Sequence, residues 1–147
     1  MKNQRPYFIA TFYRFVVIEN VIELQEQIKK LGMENRVQGI FLIASEGINS
    51  TVAAKEDDLM LFLESLQKDQ RFENLEIKFS TSNTKPFRKL RVRKKKEIVT
   101  LGVQNIDPNQ CVGTYVQPKD WNDLILQDDV TVIDVRNDYE CYLGTFE

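Results

Sequence analysis

The succession of apolar periodicities along the first half of this chain constrains its fold more than any other feature. Tyr7 to Ile18 is mostly apolar but is broken by Arg14 and too short to cross a bilayer, so it reads as a buried strand rather than an anchor. Within it, Phe8 to Arg14 has the β-branched and aromatic character of a strand. Val21, Ile22, Leu24, Ile28 and Leu31 then recur at helical spacing, with Asn20 as N-cap and Gly32 as the expected stop. Gly39 to Ala44 and Ile48 to Ala54 are two extended runs joined by Ser45-Glu46-Gly47, a hairpin in which Gly47 is free to take positive φ. Glu56 to Lys68 sets Leu59, Leu63 and Leu66 on one side, with Met60 and Phe62 beside them, and predicts a second helix. Leu75 to Phe79 alternates as a fourth strand. Strand, helix, strand, strand, helix, strand is the split βαβ order, an antiparallel sheet with two helices on one face.

The expected class is therefore α+β and ferredoxin-like, followed by a piece of a different kind. A basic extension from Lys85 to Leu101, in which Leu90 and Val92 alternate with Arg91 and Arg93, predicts an extra strand or hairpin that completes a first domain over 1–101. Residues 102–118 are rich in Asn, Gln, Gly and Pro without periodicity and form the expected linker. In 119–147, Lys119 to Leu126 predicts a short helix, and Val130 to Arg136 reads as a buried parallel strand. Parallel strands need crossovers of about a dozen residues or more. Only 11 residues follow Arg136, so this second, α/β domain is expected to be truncated here.

Composition removes several chemistries. The chain of 147 residues has no histidine, which excludes Ser-His-Asp and Cys-His catalysis within it and any imidazole ligand. Cys111 and Cys141 form no Cys-x-x-Cys pair, so neither a zinc site nor a disulfide framework is indicated; two reduced thiols in a cytoplasmic protein are expected. Net charge is only -2, but eight basic residues and no acid lie between Lys85 and Lys96, leaving 12 cations against 22 acids elsewhere.

Three stretches are candidates for function. Arg36-Val37-Gln38-Gly39-Ile40 is similar to the phosphate loop of acylphosphatases, but that chemistry needs amides at a helix N-terminus, whereas this stretch follows a helix and enters a strand. A strand entry is expected there. Glu46 and Asn49 sit on a hairpin where a carboxylate and an amide project together; the alternative is a turn in which Asn49 bonds its own backbone and Glu46 is solvated. The basic run places Arg88, Lys89, Arg91, Arg93, Lys94, Lys95 and Lys96 where cations can follow phosphates, with Phe87 available to stack on a base.

Phe87 to Arg93, Lys95 to Gly102 and Glu46 to Asn49 together resemble the N-terminal half of the rhodanese-containing tRNA uridine hydroxylases. Gly113-Thr114-Tyr115, Trp121, Ile133 to Glu140 and Gly144 resemble that family's linker and the opening of its rhodanese domain, with Thr145 where a rhodanese usually has His. The resemblance implies an enzyme that hydroxylates C5 of the wobble uridine of tRNA with molecular oxygen as oxidant and no other identifiable cofactor. It implies that the first domain and its basic strand help hold the anticodon region; Glu46 and Asn49 are candidates for a site at the domain junction. The family's reactive cysteine lies further along than this chain reaches, and neither Cys111 nor Cys141 matches it, so the fragment alone is expected to be inactive. Two alternatives stand beside this reading: a rhodanese-type sulfurtransferase parent, and a non-catalytic RNA-binding module.

Overall fold

Strand β1 (Tyr7–Phe15) is the first element of the computed structural model, which describes residues 6–99, 102, 109, 113–142 and 144. Helix α1 (Val21–Glu34) follows, capped by Asn20, whose Oδ1 accepts from the Glu23 amide at 3.2 Å. Gly32 does not stop the helix as expected. The chain continues to Glu34 and closes through the Arg36 and Val37 amides, which donate to Met33 O and Gly32 O at 3.2 and 2.8 Å. Arg36 takes the left-handed conformation (φ 52°) usually left to glycine at such a closing turn. Gly32 is a packing position instead, since a Cβ there would collide with Leu90 Cδ2.

The expected hairpin is β2 (Gln38–Ala44) and β3 (Gly47–Ala54), paired from Gln38↔Ala53 to Ala44↔Gly47. Gly47 has φ 152° and lies so close to Arg14 O that no side chain fits. Helix α2 (Glu56–Gln67) carries Glu56, Asp57 and Asp58 in its first turn, where carboxylates complement the helix dipole. Strand β4 (Lys78–Ser82) begins three residues later than the Leu75–Phe79 alternation suggested. The reason is that Leu75 and Phe72 are spent on the core: a 3-10 turn over Gln70–Phe72 buries Phe72, and Gln67 Oε1 holds the Leu75 amide at 3.2 Å. Among the described residues of the basic extension, β5 (Leu90–Lys94) is a single strand and not a hairpin.

The strands form one sheet in the order β4-β1-β3-β2-β5, with β5 parallel to β2 and every other neighbour antiparallel. Ala10, Phe12, Phe41, Ile43, Ile48, Val52 and Val92 face α1 and α2, which bring Leu24, Ile28, Leu59, Phe62, Leu63 and Leu66 to the same core. Phe12 and Phe41 meet edge to face, 5.9 Å between centroids. The one buried polar side chain among the described residues, Ser50, donates its hydroxyl to Ile40 O at 3.1 Å.

This first unit spans Met1–Val112; a second, Gly113–Glu147, is separately compact. In it, a 3-10 turn over Pro118–Asp120 leads into helix α3 (Trp121–Ile125), and helix α4 (Asp138–Cys141) carries a capping box between Asn137 and Glu140. The expectation of a buried strand over Val130 to Arg136 is not met. That segment is irregular, with Ile133 77% and Val135 91% exposed. A strand needs a ladder partner, and no other described residue of this unit is extended alongside it.

Candidate nucleic-acid interface

Alternation along β5 divides its side chains between the two faces of the sheet. Leu90 and Val92 turn toward α1, where Gln25 Nε2 donates to Val92 O at 2.8 Å. Arg91 and Arg93 turn the other way, opposite Ile40 and Leu42 of β2. Lys94 stands opposite Ile43. With Lys95 and Lys96 it lines a pocket of about 510 Å³ beside Ile18, Asn20 and Val21 at the start of α1. Arg88 and Lys89 precede the strand, and Lys89 joins Arg91, Arg93 and Lys29 of α1 along an outer groove. All seven cations named from the sequence are exposed, but six of them divide between these two grooves, Lys94, Lys95 and Lys96 on one and Lys89, Arg91 and Arg93 on the other, rather than forming one row. Lys29 escaped sequence reasoning because it lies 60 residues before Lys89 and only the β2–β5 pairing brings α1 beside the run.

Glu46 and Asn49 do project together, and they converge on the main chain that leaves β5. Glu46 Oε1 accepts from the Ile98 amide at 2.7 Å, and Asn49 Nδ2 donates to Ile98 O at 3.1 Å. Asn109 Nδ2 donates to Glu46 O at 3.3 Å. The two side chains thus hold the segment after the cations in place. At the other end of β5, with the Gln38 amide turned to match its neighbours, Nε2 donates to Phe87 O at 2.9 Å and Oε1 accepts from Lys85 Nζ at 3.1 Å. Phe87 itself is half-buried.

The Arg36–Ile40 stretch has no amides left for a phosphate. Those of Arg36 and Val37 return to α1, that of Gly39 donates to Lys89 O at 3.2 Å, and the Arg36 guanidinium pairs with Asp58 at 3.4 Å.

In the second unit, Arg136 clamps Asp134 with its backbone amide at 3.0 Å and with Nε and Nη2 at 3.0 and 2.6 Å, and the guanidinium also donates to Gly144 O. Those hydrogen bonds hold the Asp134 carboxyl down to about 2. The Cys141 thiol donates to the same carboxylate at 3.9 Å. Cys111, Thr145 and most of the expected linker lie outside the described residues. Among the described residues, no three His, Cys, Asp or Glu side chains are grouped to hold a metal, and no helix is long and apolar enough to cross a membrane.

Strand order, register and two helices on one face define an acylphosphatase-like α+β domain of the ferredoxin type. The chain belongs to the UPF0176 family, whose acylphosphatase like domain matches residues 7–98. It is 45% identical over 143 residues to a tRNA uridine(34) hydroxylase of Picosynechococcus sp., covering 97% of this chain and 48% of that protein. A tRNA uridine(34) hydroxylase of Rhizobium etli is 46% identical over 141 residues, 96% of this chain and 46% of the relative. The chain thus spans about half the length of these relatives. Among solved structures, the dark state of BlrB, a BLUF protein, covers 65% of this chain and 78% of its own at 14% identity and a TM-score of 0.51. An acylphosphatase from Coxiella burnetii covers 63% of this chain and 100% of its own at 16% identity and a TM-score of 0.45.

Proposed function

We propose that this chain is the substrate-positioning part of an enzyme that hydroxylates C5 of the wobble uridine of tRNA, with molecular oxygen as co-substrate, and that β5 and its flanks contact phosphates of the anticodon region. The observation that carries this reading is the exposure of Arg88, Lys89, Arg91, Arg93, Lys94, Lys95 and Lys96 on and around one edge strand, in a chain whose relatives are tRNA uridine(34) hydroxylases. Cations held by a sheet keep their spacing, and their pairing with phosphates releases counterions. Glu46 and Asn49 serve by fixing the chain that leaves this strand.

In this reading residues 119–147 open a rhodanese domain whose reactive cysteine loop is not part of the sequence, and the chain by itself does not turn over. A catalytic thiolate needs a positive, amide-lined pocket, whereas Cys141 donates its proton toward a carboxylate. The protein acts in the cytoplasm, where its tRNA substrate is.

Replacing Arg91, Arg93, Lys94 and Lys95 together with Ala tests the interface. Affinity for tRNA is expected to fall steeply at low salt, and the slope of log K against log salt to flatten by about 0.7–0.9 for each phosphate that is no longer neutralised. Unchanged affinity and slope remove β5 as the RNA-binding edge.

A further inference from the structure

Among the described residues of the first unit, the sheet has one face under the helices and one face that no helix covers, and this open face has its own pattern. Cross-strand register lines up Lys78, Thr11, Thr51, Ile40 and Arg91 in one row from β4 to β5, and Tyr13, Asn49, Leu42 and Arg93 in the next. At about 4.8 Å per strand the first row is roughly 19 Å long. Its floor is flat and mixed: Thr11 and Thr51 share a hydroxyl hydrogen bond of 3.2 Å, Ile40 is 41% exposed, and Tyr13 is 46% exposed with Phe15 edge to face at 6.0 Å. The strand positions on this face carry Lys78, Arg91 and Arg93 and no acid, although the chain as a whole has more acids than bases.

Both ends of this face are closed by main chain. Gln38 holds the segment at Phe87 over one end, and Glu46 with Asn49 holds Ile98 over the other. Ile98 is buried yet stands outside the core under the helices, which places it as a plug on the open side. Between the two closures lies a trough with Thr11, Thr51 and Ile40 along its floor, Tyr13 beside Asn49 at its β1 side, and cations at both margins.

We propose that this trough is a stacking platform for unpaired nucleotides of the RNA substrate, with bases laid on Tyr13 and Ile40 and the flanking phosphates taken by Lys78 on one side and Arg91 and Arg93 on the other. The inference rests on RNA being the substrate and adds to it which part of the RNA is bound and how. Aromatic and cation interleaved on an open sheet is what a single strand requires, because every base has a π-face and every link a charge. A duplex keeps its bases stacked on one another and offers this floor nothing. The absence of acids, and the hydroxyls in the floor, set the trough apart from a purely apolar seat for another protein surface.

The 147-residue chain is titrated with a fluorescent single-stranded oligoribonucleotide of about eight residues and with its blunt duplex. Tyr13→Ala is expected to weaken single-strand binding about tenfold with the salt slope unchanged, Tyr13→Phe to restore it, and the duplex to bind both variants as it binds the parent chain. Should Tyr13→Ala fail to fold, photocrosslinking of the parent chain to a 5-iodouridine oligonucleotide, mapped by mass spectrometry, is expected to mark the β1 peptide holding Tyr13. The proposal is overturned by Tyr13→Ala binding like the parent chain, by equal losses on single strand and duplex, by crosslinks confined to the Lys94–Lys96 peptides, or by a self-associated form in sedimentation that Tyr13→Ala dissolves. Failure of the phosphate reading is a separate result, unchanged tRNA affinity in the fourfold Ala variant.

Discussion

Gly39 to Ala44 and Val130 to Val135 are two apolar runs of similar length in one chain, and their fates differ completely. The first lies inside β2, between β3 and β5, with Phe41 and Ile43 fully buried. The second is irregular and exposed, although it is the richer in β-branched residues. Intrinsic strand preference therefore decided nothing by itself; the presence of neighbours to complete a ladder did. A contrasting pair makes the same point from the local side. Asp69 and Arg71 in the first unit, and Asp134 and Arg136 in the second, form the same clamp, each with amide and Nε bonds of 3.0 Å and an Nη2 bond of 2.6 Å. An interaction spanning two residues forms in either setting, while one spanning fifty needs the rest of the fold.

The comparison breaks most visibly at the two runs themselves. Phe41→Ala is expected to cost about 3–5 kcal/mol, read as a fall in the denaturant midpoint of the first unit; a cost below about 1 kcal/mol would mean that the β2 core is not what holds that unit together. A middle-sized effect is expected at the hairpin. Glu46→Ala leaves the Ile98 amide without its acceptor, which should cost about 1–3 kcal/mol and raise amide exchange at Ile98 well above that of β2. At the local clamp the expected change is a titration. The Asp134 carboxyl is held at about 2, below its ordinary 3.8, so its pairing is complete above 3.8 and is lost as pH falls through about 2. A carboxyl NMR titration with a midpoint near 3.8 would dissolve the clamp. Smallest of all, Val135→Ala should change stability by less than about 0.5 kcal/mol, and a larger loss would show that the second run is packed after all.

What the sequence made legible follows the same division between local and distant. The order of elements, the Asn20 cap, the hairpin and α2 were readable because each rests on residues within a turn or two of one another. The start of β4 was misplaced because Phe72 and Leu75 supply core to the end of α2 rather than to a strand, leaving an edge strand of exposed residues with no apolar signature. Gly32 read as a helix stop because nothing nearby in sequence shows that Leu90 will press against it. Of the candidate site, the cations of β5 were legible as a run of charge. Their division into two patches, the closures at Gln38 and Ile98, and the row that ends in Lys78 exist only through the pairing of distant strands.

Strand β5 closes the sheet on one side, and a sheet that ends in a strand offers its last edge to any passing strand, including that of a second copy. Arginine and lysine at nearly every outward position make such an approach repulsive, so the charges proposed to meet RNA also guard the protein against edge-to-edge aggregation. On the proposed reading, colloidal behaviour and RNA affinity draw on the same side chains. An alanine variant that loses RNA binding is expected to lose part of that protection with it, and a bound RNA strand, by neutralising the edge, would leave its geometry as the remaining barrier to stacking of the complexes.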